Sequence, residues 1–223
     1  MTEGLTTTEQ TQLDKIVTYA QGQLGTDRSG HDFFHVQRVA KLADRIELIE
    51  QTGQRFTVLA AAYLHDVIDD KLVANPKAAH QALQGRLEEW QIDATRIEAI
   101  FAIIDHMSFS KNLEHHQTLS PAGQIVQDAD RMDAIGAIGI ARAITYGGHH
   151  DRVLYDPEIS PRKEMTKAEY RTADGTTINH FYEKLLLIKD QMNTAAARKM
   201  AEQRQRVMLD FLNEFKMEWN GEA

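Results

Sequence analysis

Apolar residues recur at three- and four-residue intervals along most of the chain, a pattern that predicts a succession of amphipathic helices. Leu13, Ile16, Val17, Ala20 and Leu24 share one face of a first helix, which begins behind Thr6-Thr7-Thr8-Glu9 and stops at Gly25. After the turn-forming stretch 26–30, Val39, Leu42, Ala43, Ile46 and Ile49 mark a second helix that runs to about Gln51 and is closed by Gly53. A third, from Phe56 to Ile68, is apolar on nearly every side and is expected at the centre of the fold. Two more are read over 78–89 and 95–107, the latter with Ile97, Ile100, Phe101 and Ile104 on one stripe. Ser120-Pro121 opens a further helix, with Ser as N-cap and Pro in the first turn, expected to continue to about Thr145 and to end at Gly147-Gly148. Periodicity lapses over 147–177, returns at Ile178, Phe181, Leu185, Ile188 and Met192, and is sustained from Thr194 to Trp219. No strand, repeat or low-complexity tract is visible. The expectation is an all-α fold and one domain over 1–223, with core motifs in 30–145, a long loop at 147–177 and C-terminal helices over 178–219.

Composition narrows what such a bundle does. A 42% hydrophobic and 26% charged chain can build a core, and a formal net charge of −8 disfavours adhesion to nucleic acid or to anionic membrane surfaces. With no cysteine, disulfides, iron–sulfur clusters and thiolate zinc sites are excluded, so any metal must be held by His, Asp or Glu. No basic, apolar leader opens the sequence, and no run approaches the ~18 apolar residues of a membrane span. The expected address is the cytoplasm and the expected partner a small molecule.

Certain polar residues fall where the pattern calls for apolar ones. His35 lies four before Val39 and seven before Leu42, on the inward stripe of the second helix. His65 and Asp66 interrupt the otherwise apolar third helix, and Asp128 lies between Ile125 and Met132. An isolated inward carboxylate carries a large desolvation cost unless something positive neutralises it. One divalent cation answers for all four residues. A mixed imidazole and carboxylate set suits Mn, Fe, Co, Ni or Zn better than Ca, with Mg also possible. Taken singly, each has a plainer reading as a hydrogen-bonded core histidine or a capping aspartate.

In that order His35, His65-Asp66 and Asp128 resemble the H...HD...D signature of the HD-domain superfamily of metal-dependent phosphohydrolases. The resemblance extends through Gly30-His31-Asp32-Phe33-Phe34-His35, Leu64-His65-Asp66-Val67-Ile68-Asp69-Asp70-Lys71, Gln127-Asp128-Ala129-Asp130-Arg131-Met132-Asp133 and Asn179-His180-Phe181-Tyr182-Glu183-Lys184-Leu185. It is similar to a group of small bacterial HD hydrolases over about residues 10 to 215. This implies an HD-type helical bundle, one divalent metal on His35, His65, Asp66 and Asp128, and hydrolysis of a phosphate ester or anhydride, with nucleotides as the expected substrates.

A bound divalent ion can bring the pKa of its water from about 15.7 toward ~7 and polarise a phosphoryl oxygen, so no protein nucleophile is required. Asp69, one turn beyond Asp66, is the candidate general base, on the analogy of an acid at this offset in other HD enzymes. His106 is the candidate donor to a phosphate or leaving oxygen. Lys71, Arg131 and Lys184 stand next to three separate motifs and are the candidate phosphate ligands, and that surplus of cations favours a (deoxy)nucleoside triphosphate cleaved at an anhydride. The alternatives are a nucleoside monophosphate phosphatase, a non-catalytic nucleotide sensor, and a two-iron oxygenase, which would need further ligands. His31 and Asp32 are expected to cap the second helix or orient His35. His115-His116 and His149-His150 read as surface pairs.

Overall fold

The computed structural model describes residues 4–25, 32–69, 73, 75–107, 118–162 and 175–222. Among them lie helices α1 (Thr7–Leu24), α2 (Phe33–Glu50), α3 (Arg55–Leu64), α4 (Pro76–Glu89), α5 (Ala94–His106), α6 (Pro121–Asp133), α7 (Gly136–His149), α8 (Thr177–Glu183), a 3-10 helix (Leu185–Gln191) and α9 (Ala195–Asn220), with no strand. The all-α expectation holds. The backbone groups into two compact units, 1–130 and 131–223.

In the first unit α3 packs against α1, α2 and α5. Its Val58, Ala60, Ala61, Ala62 and Leu64 are completely buried, and the run of three alanines lets neighbouring backbones approach closely. Val36, Val39, Ala40, Ala43 and Ile46 of α2 supply the opposing surface. Sequence signals at helix starts are realised. Thr6 and Glu9 form a reciprocal capping box, with the Thr6 amide 2.8 Å from Glu9 Oε2. The Ser120 hydroxyl accepts from the Gly123 amide at 3.2 Å. Buried Glu47 closes the α2–α3 turn, accepting from the Thr52 hydroxyl at 2.7 Å and from the Gln54 amide at 3.2 Å.

Several boundaries differ from the periodicity. The left-handed residue that ends α2 is Gln51 (φ 55°) rather than Gly53. α3 stops at Leu64, so His65 is its C-cap and Asp66 lies in the following turn rather than inside the helix. The helix expected from Pro121 to Thr145 is two helices. Gly136 takes φ 77°, and the amides of Ala134 and Ile135 fold back onto Arg131 and Met132 in tight turns. In the second unit Arg204 donates to the Met132 carbonyl and runs its side chain 3.0 Å from where a Cβ on residue 136 would sit. Arg142 holds Asp133 at 2.7 Å. Glycine at 136 thus permits a break that side chains distant in sequence then stabilise. α7 continues past Gly147-Gly148 to His149, because Gly147 is a site of close approach: a Cβ there would lie 2.2 Å from Thr177 Oγ1.

The second unit packs α9 against α7 and the 3-10 helix, with α8 against α7 and the 3-10 helix. The stripe from Ile178 to Met192 is divided at Lys184, whose φ of −141° ends α8 and begins the 3-10 turn. The described part of the expected long loop, 150–162, has no regular element. Its residues lie along the start of α8: the amides of Thr177 and Ile178 donate to the carbonyls of Val153 and Leu154 at 2.9 and 3.0 Å. Tyr155 sits edge-on to Phe215 and Trp219. His149 and His150 are exposed, as expected. His31, Lys71, His115, His116 and residues 163–174 lie outside the described residues.

Candidate metal centre

Two helix ends bring the histidines together. His35 sits in the first turn of α2, where the Asp32 carboxylate caps the helix by accepting from the His35 amide at 2.8 Å. Asp32 therefore orients the backbone that carries the ligand, one of the two roles expected of it. His65 occupies the C-terminal end of α3. Its Nδ1 is 2.9 Å from the Ala62 carbonyl oxygen, and because a carbonyl only accepts, Nδ1 carries the hydrogen. In the neutral ring Nε2 then presents a lone pair.

That lone pair is buried and has no hydrogen-bond partner. It faces oxygens instead: Asp66 Oδ1 at 3.5 Å and Asp130 Oδ1 at 3.7 Å. His35 Nε2 is 3.5 Å from Asp66 Oδ2 and 3.4 Å from Asp130 Oδ1, and the two imidazole rings stand edge to face at 5.3 Å between centroids. One donor atom each from His35, His65 and Asp66 falls within 4.8 Å of the others.

A lone pair aimed at carboxylate oxygens is repulsive unless a cation lies between them. The spacing fits one. Ligand atoms about 2.1 Å from a common ion stand about 3.0 to 3.4 Å apart along the edges of an octahedron or tetrahedron, close to the contacts seen here. The donor set and the orphaned Nε2 therefore fit a divalent metal, as the sequence implied. Nitrogen-plus-oxygen ligation suits a first-row transition metal.

The second carboxylate near the imidazoles belongs to Asp130, which the sequence reading did not single out. Asp128, the expected ligand, is completely buried in the same helix. Residues two apart on a helix point about 200° from each other, so these two cannot both face His35 and His65. Asp130 keeps 37% of its side chain exposed. Burial pushes its carboxyl up, but the group is held below the usual carboxylate range, with the bond from His35 the largest influence in that direction. The sequence does not tell the two carboxylates apart, for a plain reason. α6 is buried over the whole run Ile125 to Ala129, so no single apolar stripe marks its inward face.

The remaining candidates scatter. Asp69 is half-buried in the turn beyond Asp66, its amide 3.2 Å from the Asp66 carbonyl. His106 ends α5, its Nδ1 2.8 Å from the Ala102 carbonyl. Gln127 of α6 donates to the Met107 carbonyl at 3.0 Å, which fixes α6 beside the end of α5. In the second unit Arg131 donates to the Gln191 carbonyl, which commits part of its guanidinium to the fold. Lys184, half-buried, caps α8. No helix among the described residues is long and apolar enough to cross a membrane.

Comparison with known proteins agrees with the centre. The sequence pattern of the HD domain matches residues 33–135, which takes in both histidines, Asp66 and Asp130. YpgQ of Bacillus subtilis is 36% identical over 211 residues, covering 94% of this chain and 95% of YpgQ. A crystal structure of a Lactobacillus plantarum protein is 52% identical with a TM-score of 0.79, covering 95% of this chain and 98% of that one. An HD-superfamily hydrolase of Bacillus thuringiensis is 39% identical with a TM-score of 0.78, over 95% and 98% of the two chains. YpgQ has been crystallised in complex with ADP, and that structure is 34% identical with a TM-score of 0.75, over 95% and 96%. With two imidazoles and a buried carboxylate converging where the HD pattern falls, and relatives alike over nearly their whole length, this chain belongs to the HD-domain superfamily of metal-dependent phosphohydrolases.

Proposed function

We propose that this chain hydrolyses a phosphoanhydride of a (deoxy)nucleoside triphosphate, with the metal held by His35, His65, Asp66 and Asp130. The observation that carries the metal assignment is the buried, unpartnered Nε2 of His65 facing two carboxylates. Asp130 replaces Asp128 in the ligand set, because Asp130 reaches both imidazoles. The nucleotide assignment draws support from the ADP complex of YpgQ.

A divalent ion in this centre supplies Lewis acidity toward water and phosphoryl oxygen. The chain's own residues do the rest. Asp69 accepts a proton from the attacking water, and His106 donates toward a phosphate or the leaving oxygen. Lys71, Arg131 and Lys184 are the candidate phosphate ligands. The absence of cysteine accords with a reaction that has no thiol nucleophile.

The deciding experiment compares a nucleoside monophosphate, its triphosphate and an aryl phosphate at matched divalent metal concentration, following phosphate and pyrophosphate release separately. The triphosphate should be turned over fastest. A clear preference for the monophosphate would overturn the anhydride assignment and leave an ester phosphatase in its place.

A further inference from the structure

The second unit holds a group of basic side chains that the metal centre does not use. Segment 150–162 is tied along α8 by the bonds from Thr177 and Ile178 to Val153 and Leu154, and by Asn179 Nδ2 to the Ile159 carbonyl at 2.7 Å. Arg152 stands at the head of that segment, its amide bonded to the Gly147 carbonyl at 2.9 Å. His180 lies one turn into α8 and Lys184 one turn later, the Lys184 amide 3.0 Å from the His180 carbonyl.

Among the described residues, the acid whose charge bears on His180 is already paired. Glu183, its side chain 3% exposed, accepts from Arg162 three times: from the backbone amide at 3.0 Å, from Nε at 3.0 Å and from Nη2 at 2.9 Å. A bidentate guanidinium–carboxylate pair of this kind leaves little capacity for a second arginine. Arg152, in contrast, has a buried Nε with no hydrogen-bond partner among the described residues. Burial first, and then the charges of Lys184, Arg152 and Arg162 against that of Glu183, push the pKa of the His180 ring down to about 4. An arginine half-buried with no ion pair among the described residues is costly in a chain whose net charge is −8.

We infer that Arg152, His180 and Lys184 form an oxyanion subsite that receives a phosphoryl group. Arg152 supplies the charged fork, Lys184 a second positive charge, and the uncharged imidazole of His180 an N–H donor. The phosphoryl group has two sources, the phosphate chain of a nucleotide or free inorganic phosphate. The first deepens the function proposed above and rests on it, whereas the second stands without it.

The test follows the histidine ring signals of the full-length protein by NMR during titration with inorganic pyrophosphate, without added metal. In the unmodified protein the His180 ring should shift and its pKa should rise from about 4 as the anion offsets its cationic neighbours. No change at His180 would overturn the inference, even if every variant misfolds. Arg152→Gln, checked for folding by its circular dichroism, should weaken pyrophosphate binding by on the order of tenfold or more, the loss expected for one charge-assisted hydrogen bond. Arg152→Lys should recover part of it. Unaltered binding in folded Arg152→Gln would also overturn the inference. Asp66→Ala should still bind the anion, because the subsite has no part in metal ligation. Loss of binding in Asp66→Ala together with indifference to Arg152→Gln would place the anion at the metal centre and overturn the inference.

Steady-state kinetics separate the sources. A raised KM for nucleoside triphosphate with little change in kcat in Arg152→Gln assigns the subsite to the nucleotide. An unchanged KM beside weakened pyrophosphate binding assigns it to the free anion. If the unmodified protein hydrolyses no nucleotide yet His180 answers to pyrophosphate, the function proposed above falls and the subsite stands.

Discussion

The first unit gathers two imidazoles around carboxylates, and the second sets one imidazole among basic side chains. His65 and His180 are the same residue type in inverse surroundings. At His65 the ring faces Asp66 and Asp130 and turns toward them a lone pair that only a cation between them can take up. At His180 the ring feels Lys184, Arg152 and Arg162. Each place holds a buried nitrogen with no hydrogen-bond partner among the described residues, His65 Nε2 facing carboxylates and Arg152 Nε in a basic cluster, and the surrounding sign names the ligand: a cation for the acid-rich centre, an anion for the basic cluster. Net charge conceals this, since the chain's −8 is a sum over both.

Removing the acid at the centre should have the largest effect. Asp66→Ala is expected to lose bound metal on purification and to lower phosphohydrolase turnover by at least about a hundredfold, more than the 10- to 100-fold typical of groups that only support metal ligands. Metal analysis alongside rate measurement checks it. Full turnover by a metal-free Asp66→Ala protein would erase the distinction between the two regions.

Next in size is the contrast between two aspartates in one helix. Asp130→Asn should weaken metal affinity by more than about a hundredfold, beyond the range of a group that only supports a ligand, with little change in thermal stability. Asp128→Asn should leave metal affinity near that of the parent and instead lower stability by about 1–3 kcal/mol, the cost of disturbing a fully buried polar group. Metal titrations and urea melts of the pair sharpen the boundary of the centre, and the reverse outcome would restore Asp128 as the ligand.

The smallest effect concerns His180 and pH. Its folded pKa of about 4 lies below the ordinary imidazole value of 6.5, so between these values the unfolded chain binds more protons and stability rises with pH. The contribution is fully present above about pH 6.5 and is lost as pH falls through 4, amounting to about 3 kcal/mol. Lys184, Arg152 and Arg162 enlarge the shift and Glu183 opposes it. His180→Gln should flatten that segment of the stability curve relative to the parent, as read by denaturant melts across the range. Parallel curves would show that the ring is not held among cations.

How far the chain could be read from its sequence follows from the range of the forces involved. α3 was legible because its residues are buried all round, and His65-Asp66 stood out as polar residues in that apolar run. The Thr6–Glu9 box and the Ser120-Pro121 start are local signals and were realised locally. The break between α6 and α7 was not legible, since it depends on Arg204 reaching back across the sequence to Met132 and the flank of Gly136. Asp130 escaped for a related reason. In a helix buried on every side, periodicity says that a carboxylate is inside but not which way it points.

The early end of α3 has a chemical consequence. A helix one turn longer would give the Ala62 carbonyl to the amide of Asp66, and the His65 ring would be free to place its hydrogen on either nitrogen. Because α3 stops at Leu64, the carbonyl takes its hydrogen from the imidazole. Helix length thereby selects a tautomer. A change that extended α3, without touching any residue near the ion, would act as a loss of ligand strength, so the span of an apolar helix and the affinity of a metal centre are here a single heritable trait.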